Sequence, residues 1–213
     1  LEFKGSEMGK KIKRKLEEPH VFVNFEKILI DKFDSNISVL NFLRNHRDLV
    51  GTKEGCSEGD CGACSVLIYD KELKYSPINS CILKLGQIVG KNIITVEGIS
   101  KIKNSESLLS SLYDQGASQC GFCTPGFVIA ATALKIDQPK VNEKQVHDGL
   151  SGNLCRCTGY RPIVDAILET KGKIIIPNPK KKQNVFDSKL NFGKTTFFYP
   201  RSVNDLRKLL ASG

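Results

Sequence analysis

The 213-residue chain is long enough for one large domain or two small ones, and its 40% apolar and 26% charged shares are those of a globular protein rather than a disordered or fibrous one. No apolar run approaches the roughly 18 residues that a membrane-spanning helix needs. The formal charge of +9 includes two clumps, Lys10–Lys15 and Lys180–Lys182. No aromatics interleave them, so they read as solvated tail and linker, not as a nucleic-acid footprint.

Residues 1–18 read as a basic, disordered N-terminal extension. Glu17, Glu18 and Pro19 follow the lysines where a secretory signal would carry an apolar stretch. The expected location is therefore cytoplasmic, with reduced thiols. His20 to Ile30 alternates apolar and polar residues and predicts a strand, a turn and a second strand. Val39, Leu40, Phe42 and Leu43 recur at helical spacing behind Ser38, a suitable N-cap. The run from Gly51 to Cys64 contains glycines at 51, 55, 59 and 62, which predicts a tightly bent loop rather than regular structure. Ser65–Tyr69 and Ile93–Val96 predict strands. Residues 19–100 thus read as a small sheet with one helix packed on it.

Residues 101–172 change period. Leu108, Leu109, Leu112 and Tyr113 mark one helix. Thr124 as N-cap and Pro125 at the first helical position open another. Gln145–Leu150 marks a third, and Pro162, Ile163, Ala166, Ile167 and Thr170 a fourth, ending before Gly172. Residues 173–194 are basic and proline-dotted, as a linker is. Residues 195–213 read as a strand and one helix, too little to bury a core alone, so the chain is expected to stop just inside a third domain. The fold class is α+β.

Eight cysteines fall into two sets of four. Pairs as close as Cys155-Arg156-Cys157 and Cys120-Gly121-Phe122-Cys123 bridge poorly as disulfides but let several sulfurs converge on one metal centre. The first set is Cys56-x4-Cys61-x2-Cys64 with Cys81 after sixteen intervening residues, the spacing of a plant-type ferredoxin. An anionic cluster there needs many inward-pointing N–H groups, which the glycines let the backbone supply. The second set is Cys120-x2-Cys123 and Cys155-x-Cys157. A helix is expected to open just after each half, aiming free N–H groups and positive dipole ends at the sulfurs. Spacing alone leaves a four-cysteine zinc site open, more so for the second set than for the first.

The flanking residues carry a resemblance. Gly51-Thr52-Lys53-Glu54-Gly55-Cys56 through Cys64, Ser118-Gln119-Cys120-Gly121-Phe122-Cys123-Thr124-Pro125-Gly126, and Leu150-Ser151-Gly152-Asn153-Leu154-Cys155-Arg156-Cys157-Thr158-Gly159-Tyr160-Arg161-Pro162 are similar to the xanthine dehydrogenase family of molybdenum hydroxylases. The match runs in order over residues 20 to 172, and Phe197–Leu210 resembles the opening of that family's FAD domain. The resemblance implies a β-grasp ferredoxin domain, then a four-helix [2Fe–2S] domain, then the start of an FAD domain. It implies two [2Fe–2S] clusters, on Cys56, Cys61, Cys64 and Cys81 and on Cys120, Cys123, Cys155 and Cys157.

It also implies a molybdopterin on a partner large subunit, touched by Gln119 and Cys157. Single electrons would pass from there through the clusters to FAD and then to NAD, within a higher hetero-oligomer that involves neither nucleic acid nor membrane. The substrate, a purine, an aldehyde or an N-heterocycle, would be oxidised on the partner, and no catalytic residue is expected on this chain. Glu54, Glu58, Asp60 and Lys53 flank the first set with opposing charge. His46 and His147 read as surface residues, Arg156 as facing either the cluster charge or solvent, and Glu97 and Asp165 have no evident partner. The rival readings are a zinc-stabilised binding module and a free two-cluster ferredoxin.

Overall fold

The computed structural model describes residues 18–70, 74–177 and 189–212. The expectations for residues 1–17 and for Lys180–Lys182 lie outside them. β1 (His20–Val23) and β2 (Glu26–Leu29) form an antiparallel hairpin. Its turn residues Asn24 and Phe25 have φ of 49° and 75°, as a tight two-residue connection requires. β3 (Ser65–Asp70), β4 (Lys74–Asn79) and β5 (Asn92–Ile94) complete a sheet of order β2-β1-β5-β3-β4, with β5 parallel to β1 and antiparallel to β3.

One local expectation differs, and one strand has no counterpart in the sequence reading. The strand expected over Ile93–Val96 stops at Ile94, because Thr95 caps a short helix, α2 (Val96–Ile99). β4 carries Pro77 and so gives a weak strand signal; it survives as an edge strand, where a missing donor is tolerated.

The sheet is buried on both faces, which is why β3 reads as an unbroken apolar run. On one side Val66, Ile68, Val21, Val23 and Ile93 meet Val39, Phe42 and Leu43. These last come from α1 (Val39–Asn41) and the π-helical turn Phe42–His46 that continues it. Ser38 is the N-cap, its hydroxyl accepting from Asn41 N at 3.1 Å. On the other side Leu67 and Ile94 join the core of four helices, α3 (Glu106–Asp114), α4 (Thr124–Asp137), α5 (Glu143–Leu150) and α6 (Arg161–Glu169).

Phe127 through Ala131 of α4 are all buried, so this helix sits centrally against the others and the sheet. Both helices that follow the second cysteine set start slightly ahead of their prolines: Cys123 is the N-cap residue of α4 and Tyr160 that of α6. At the far end of α4, Lys135 is 1% exposed and donates to the carbonyls of Pro139 (2.7 Å) and Thr170 (2.8 Å). Burial lowers its pKa, and the negative ends of α4 and α6 offset that cost.

The stretch expected as a linker is partly packed. Ile174 and Ile176 enter the helical core, and Pro177 O accepts from the Tyr75 hydroxyl at 3.2 Å. Further on, β6 (Lys189–Phe192) pairs with β7 (Thr195–Phe198), so the terminal hairpin starts before residue 195. The alternating pairs Ile174/Ile176, in an irregular segment, and Leu190/Phe192, in β6, each bury every second residue, which overrides a basic, proline-dotted composition.

The hairpin is not free-standing. Leu190 and Phe192 pack into the core beside α1, Gly193 N donates to Asp31 O at 2.7 Å, and the Tyr199 hydroxyl donates to Gly86 O. α7 (Val203–Ala211) follows with no buried residue. No helix among the described residues is long and apolar enough to cross a membrane.

Candidate metal centres

The first cysteine loop is gripped at its start from both sides. Arg44, from the π-helical turn, donates to Val50 O at 2.9 Å and to Thr52 O at 2.8 Å. From α2, Glu97 Oε1 accepts from Gly51 N at 2.8 Å while its other oxygen accepts from the Thr95 hydroxyl. A Cβ at Gly51 would lie 2.6 Å from Val96 Cγ1, so only glycine admits α2 this closely.

Beyond this grip the backbone folds around sulfur. Asp60 N and Cys61 N each donate to Cys56 Sγ at 3.3 Å, and Cys56 N donates to Cys61 Sγ at 3.4 Å. The turn needs Gly59 at φ 86° and Gly62 at φ 70°. Backbone N–H groups of Glu58, Asp60 and Cys61 pull the Cys56 thiol down to about 7. Cys64 and Cys81, joined by the β3–β4 hairpin and the turn after it, bring their sulfurs to 3.3 Å. Burial pushes the Cys64 thiol up to about 11.

The second set sits where two helices begin. Cys123 is the N-cap of α4, and Cys155 and Cys157 lie in the loop that Tyr160 closes at the start of α6. Cys123 pairs with Cys155, and Cys120 with Cys157. Burial first, then the Cys155 contact, pushes the Cys123 thiol up to about 12. Burial also opposes ionisation of Cys155, but hydrogen bonds from the Thr158 side chain and backbone outweigh it and hold that thiol below its usual range. The Phe122 backbone N–H, then Cys157, lower the Cys120 thiol. The four sulfurs line an open cavity of about 440 Å³ together with Arg156 and Tyr160.

All eight cysteines are free thiols, so the disulfide alternative is absent from this fold. Among the described residues no three His, Cys, Asp or Glu side chains close on a single ion position. The sulfurs instead come in twos: 56 with 61, 64 with 81, 120 with 157, 123 with 155. A lone tetrahedral ion wants four sulfurs about 2.3 Å from one centre. Two thiolates for each of two metal ions is what a binuclear cluster wants. Thr52 Oγ1, in the first loop, is buried without a hydrogen-bond partner among the described residues. The donor set fits two binuclear clusters, one at each loop.

The two loops also touch. Leu154 N, one residue before Cys155, donates to Cys61 O at 3.0 Å, and Asn153 Nδ2 donates to Gly62 O at 3.2 Å. Gln119, Cys120 and Cys157 are exposed. His46 and His147 lie at the surface, the first against Phe33 and the second 3.7 Å from Glu143. Asp165, without a partner in the sequence analysis, pairs with Arg161 at 2.9 Å.

Sequence reasoning named Glu97 but found it no partner, because Gly51 lies 46 positions away. Glu97→Ala is expected to free the Gly51 amide, raising its hydrogen-exchange rate at least tenfold, in line with about 1.5–3 kcal/mol for a charged acceptor. Glu97→Gln, which still accepts, should stay close to the parent in the same exchange experiment.

Residues 95–168 match the Fer2_2 family, a [2Fe–2S] binding domain. Xanthine dehydrogenase of Emericella nidulans is 46% identical over 150 residues, covering 68% of this chain and 11% of that protein. Aldehyde oxidase 1 of Rattus norvegicus is 41% identical over 154 residues, again 68% and 11%. The crystal structure of quinoline 2-oxidoreductase from Pseudomonas putida 86 superposes with a TM-score of 0.64 at 35% identity, covering 73% of this chain and 93% of that one. The chain thus spans about a ninth of the curated relatives' length. With a 93% share of one solved chain matched at that identity, this protein belongs to the molybdenum hydroxylases of the xanthine dehydrogenase and aldehyde oxidase type, and what it carries is their iron–sulfur region.

Proposed function

We propose that the chain relays single electrons within a xanthine dehydrogenase-like molybdenum hydroxylase. When bound, two [2Fe–2S] clusters would supply one-electron steps between a molybdopterin on a partner large subunit and FAD, with NAD as the final acceptor. Cys56, Cys61, Cys64 and Cys81 hold the first cluster in a β-grasp ferredoxin domain, and Cys120, Cys123, Cys155 and Cys157 hold the second in the four-helix domain. The strand order β2-β1-β5-β3-β4 supports the former and the bundle α3–α6 the latter. Gln119 and Cys157 are exposed beside the second site and would meet the molybdopterin.

The hairpin β6–β7 and α7 would open the FAD domain. The hairpin's own contribution is positional: it packs on the core of the first sheet. The protein works in the cytoplasm, in a hetero-oligomer with the large subunit.

The observation that carries the relay is the hydrogen bond from Leu154 N to Cys61 O, which joins the two cysteine loops directly at 3.0 Å. The backbone N–H groups on Cys56 and Cys61 and the helix starts at Cys123 and Tyr160 stabilise added negative charge at each loop. Anaerobic reconstitution followed by reduction tests the reading: about four irons per chain and two distinguishable EPR signals are expected. A colourless protein holding zinc would select the zinc-module reading, and purification of the native protein without a pterin-bearing subunit would select a free ferredoxin.

A further inference from the structure

Between Cys157 and α6 the backbone is forced through a left-handed turn. Gly159 has φ 67°, and Tyr160 has φ 68° with ψ −33°. For a residue other than glycine this costs about 1–2 kcal/mol, so something must hold it. Tyr160 is held three times over. Its hydroxyl accepts from Cys155 N at 2.9 Å, its own N donates to Thr158 Oγ1 at 3.2 Å, and its ring packs edge-on against Phe127. The result is to fix Thr158 Oγ1 at 3.1 Å from Cys155 Sγ.

The direction of that last bond follows from the proton inventory. Thr158 Oγ1 already accepts from Tyr160, and a metal-bound thiolate carries no proton. The only hydrogen available to the contact is the threonine's own, so Thr158 donates to sulfur.

We propose that Thr158 sets the reduction potential of the second cluster through an O–H···S bond to Cys155, with Tyr160 as the positioning residue that aims it. This rests on the reading that Cys155 ligates a [2Fe–2S] cluster. Reduction adds one electron and exchanges no proton or ligand, so negative charge on the thiolates rises. A donor to sulfur therefore favours the reduced form and raises the potential. The hydrogen bonds to the sulfurs of Cys56 and Cys61 come instead from backbone N–H groups. A Thr158 substitution leaves them in place, so the first cluster serves as an internal reference.

The test uses the full chain, reconstituted as parent, Thr158→Val, Thr158→Ala and Thr158→Ser, and titrated potentiometrically with dithionite under EPR. Valine and alanine should shift the second cluster's equilibrium about tenfold toward the oxidised form, about 59 mV for one electron. Iron content should match the parent, the first cluster should not move, and serine should stay within about twofold. An unmoved potential in fully loaded alanine or valine protein overturns the proposal. So does serine shifting as far as alanine, or loss of iron by both hydroxyl-free variants. A parent protein with no second signal at all would instead sink the two-cluster reading, which is settled before any variant is compared.

Discussion

Gly62→Ala lowers the melting temperature by about 10 °C, whereas Gly116→Ala lowers it by about 4 °C. Both glycines have a left-handed φ, 70° and 61°, so both substitutions incur a backbone cost of about 1–2 kcal/mol. They differ in what the new methyl meets. At Gly116 nothing lies within 4 Å, but at Gly62 it would stand 2.3 Å from Gly152 O and 2.5 Å from Asn153 Nδ2. That wedge adds the roughly 1–3 kcal/mol typical of overpacking. It also drives apart the two cysteine loops where they are bonded, through Gly62 O to Asn153 and Cys61 O to Leu154. Thermal unfolding of the two variants side by side checks the claim. Equal melting points would mean that the loops are not closely packed at Gly62.

Phe127→Ala should cost about 3–5 kcal/mol, the usual range for emptying a buried aromatic site. The ring is 1% exposed in the first turn of α4, within the core shared by all four helices. It also supports Tyr160, with ring centroids 6.2 Å apart and nearly perpendicular. The loss should therefore appear twice: as a lower denaturation midpoint at unchanged slope, and as weaker iron retention by the second cysteine set. Tyr113→Ala, at a side chain 85% exposed, is the control and should change neither. A Phe127 variant that unfolds like the parent would show that the helices do not depend on this contact.

Much of the helical half was legible from the chain. Leu108 and Leu112 of α3, Val146 and Leu150 of α5, and Ile163, Ala166 and Ile167 of α6 recur at helical spacing because each helix buries one stripe. The prolines after Cys123 and Cys157 marked where α4 and α6 begin to within a residue or two. The sheet was less legible. β4 hides behind Pro77, and Val96 reads as strand by its branching yet opens a helix, because Glu97 and Thr95 make a cap bonded to Gly51 and Asn24. Residues 173–192 misled for a related reason: composition averages over a window, whereas burial of Ile174, Ile176, Leu190 and Phe192 depends on what they reach.

Taken alone, the order of residues determined that there are two sets of four cysteines, that the first lies in a glycine-rich loop and the second at expected helix starts, and that their spacings argue against a disulfide framework. These are short-range properties, set by spacing and by what a few neighbouring residues can do with their backbones. Only the tertiary structure decided which sulfur stands beside which, that Glu97 grips Gly51, that the terminal hairpin lies on the first core, and that Leu154 bonds to Cys61. Each of those depends on close approach of segments distant in sequence. Such an approach is fixed by packing the sheet's two faces, and no local pattern records it.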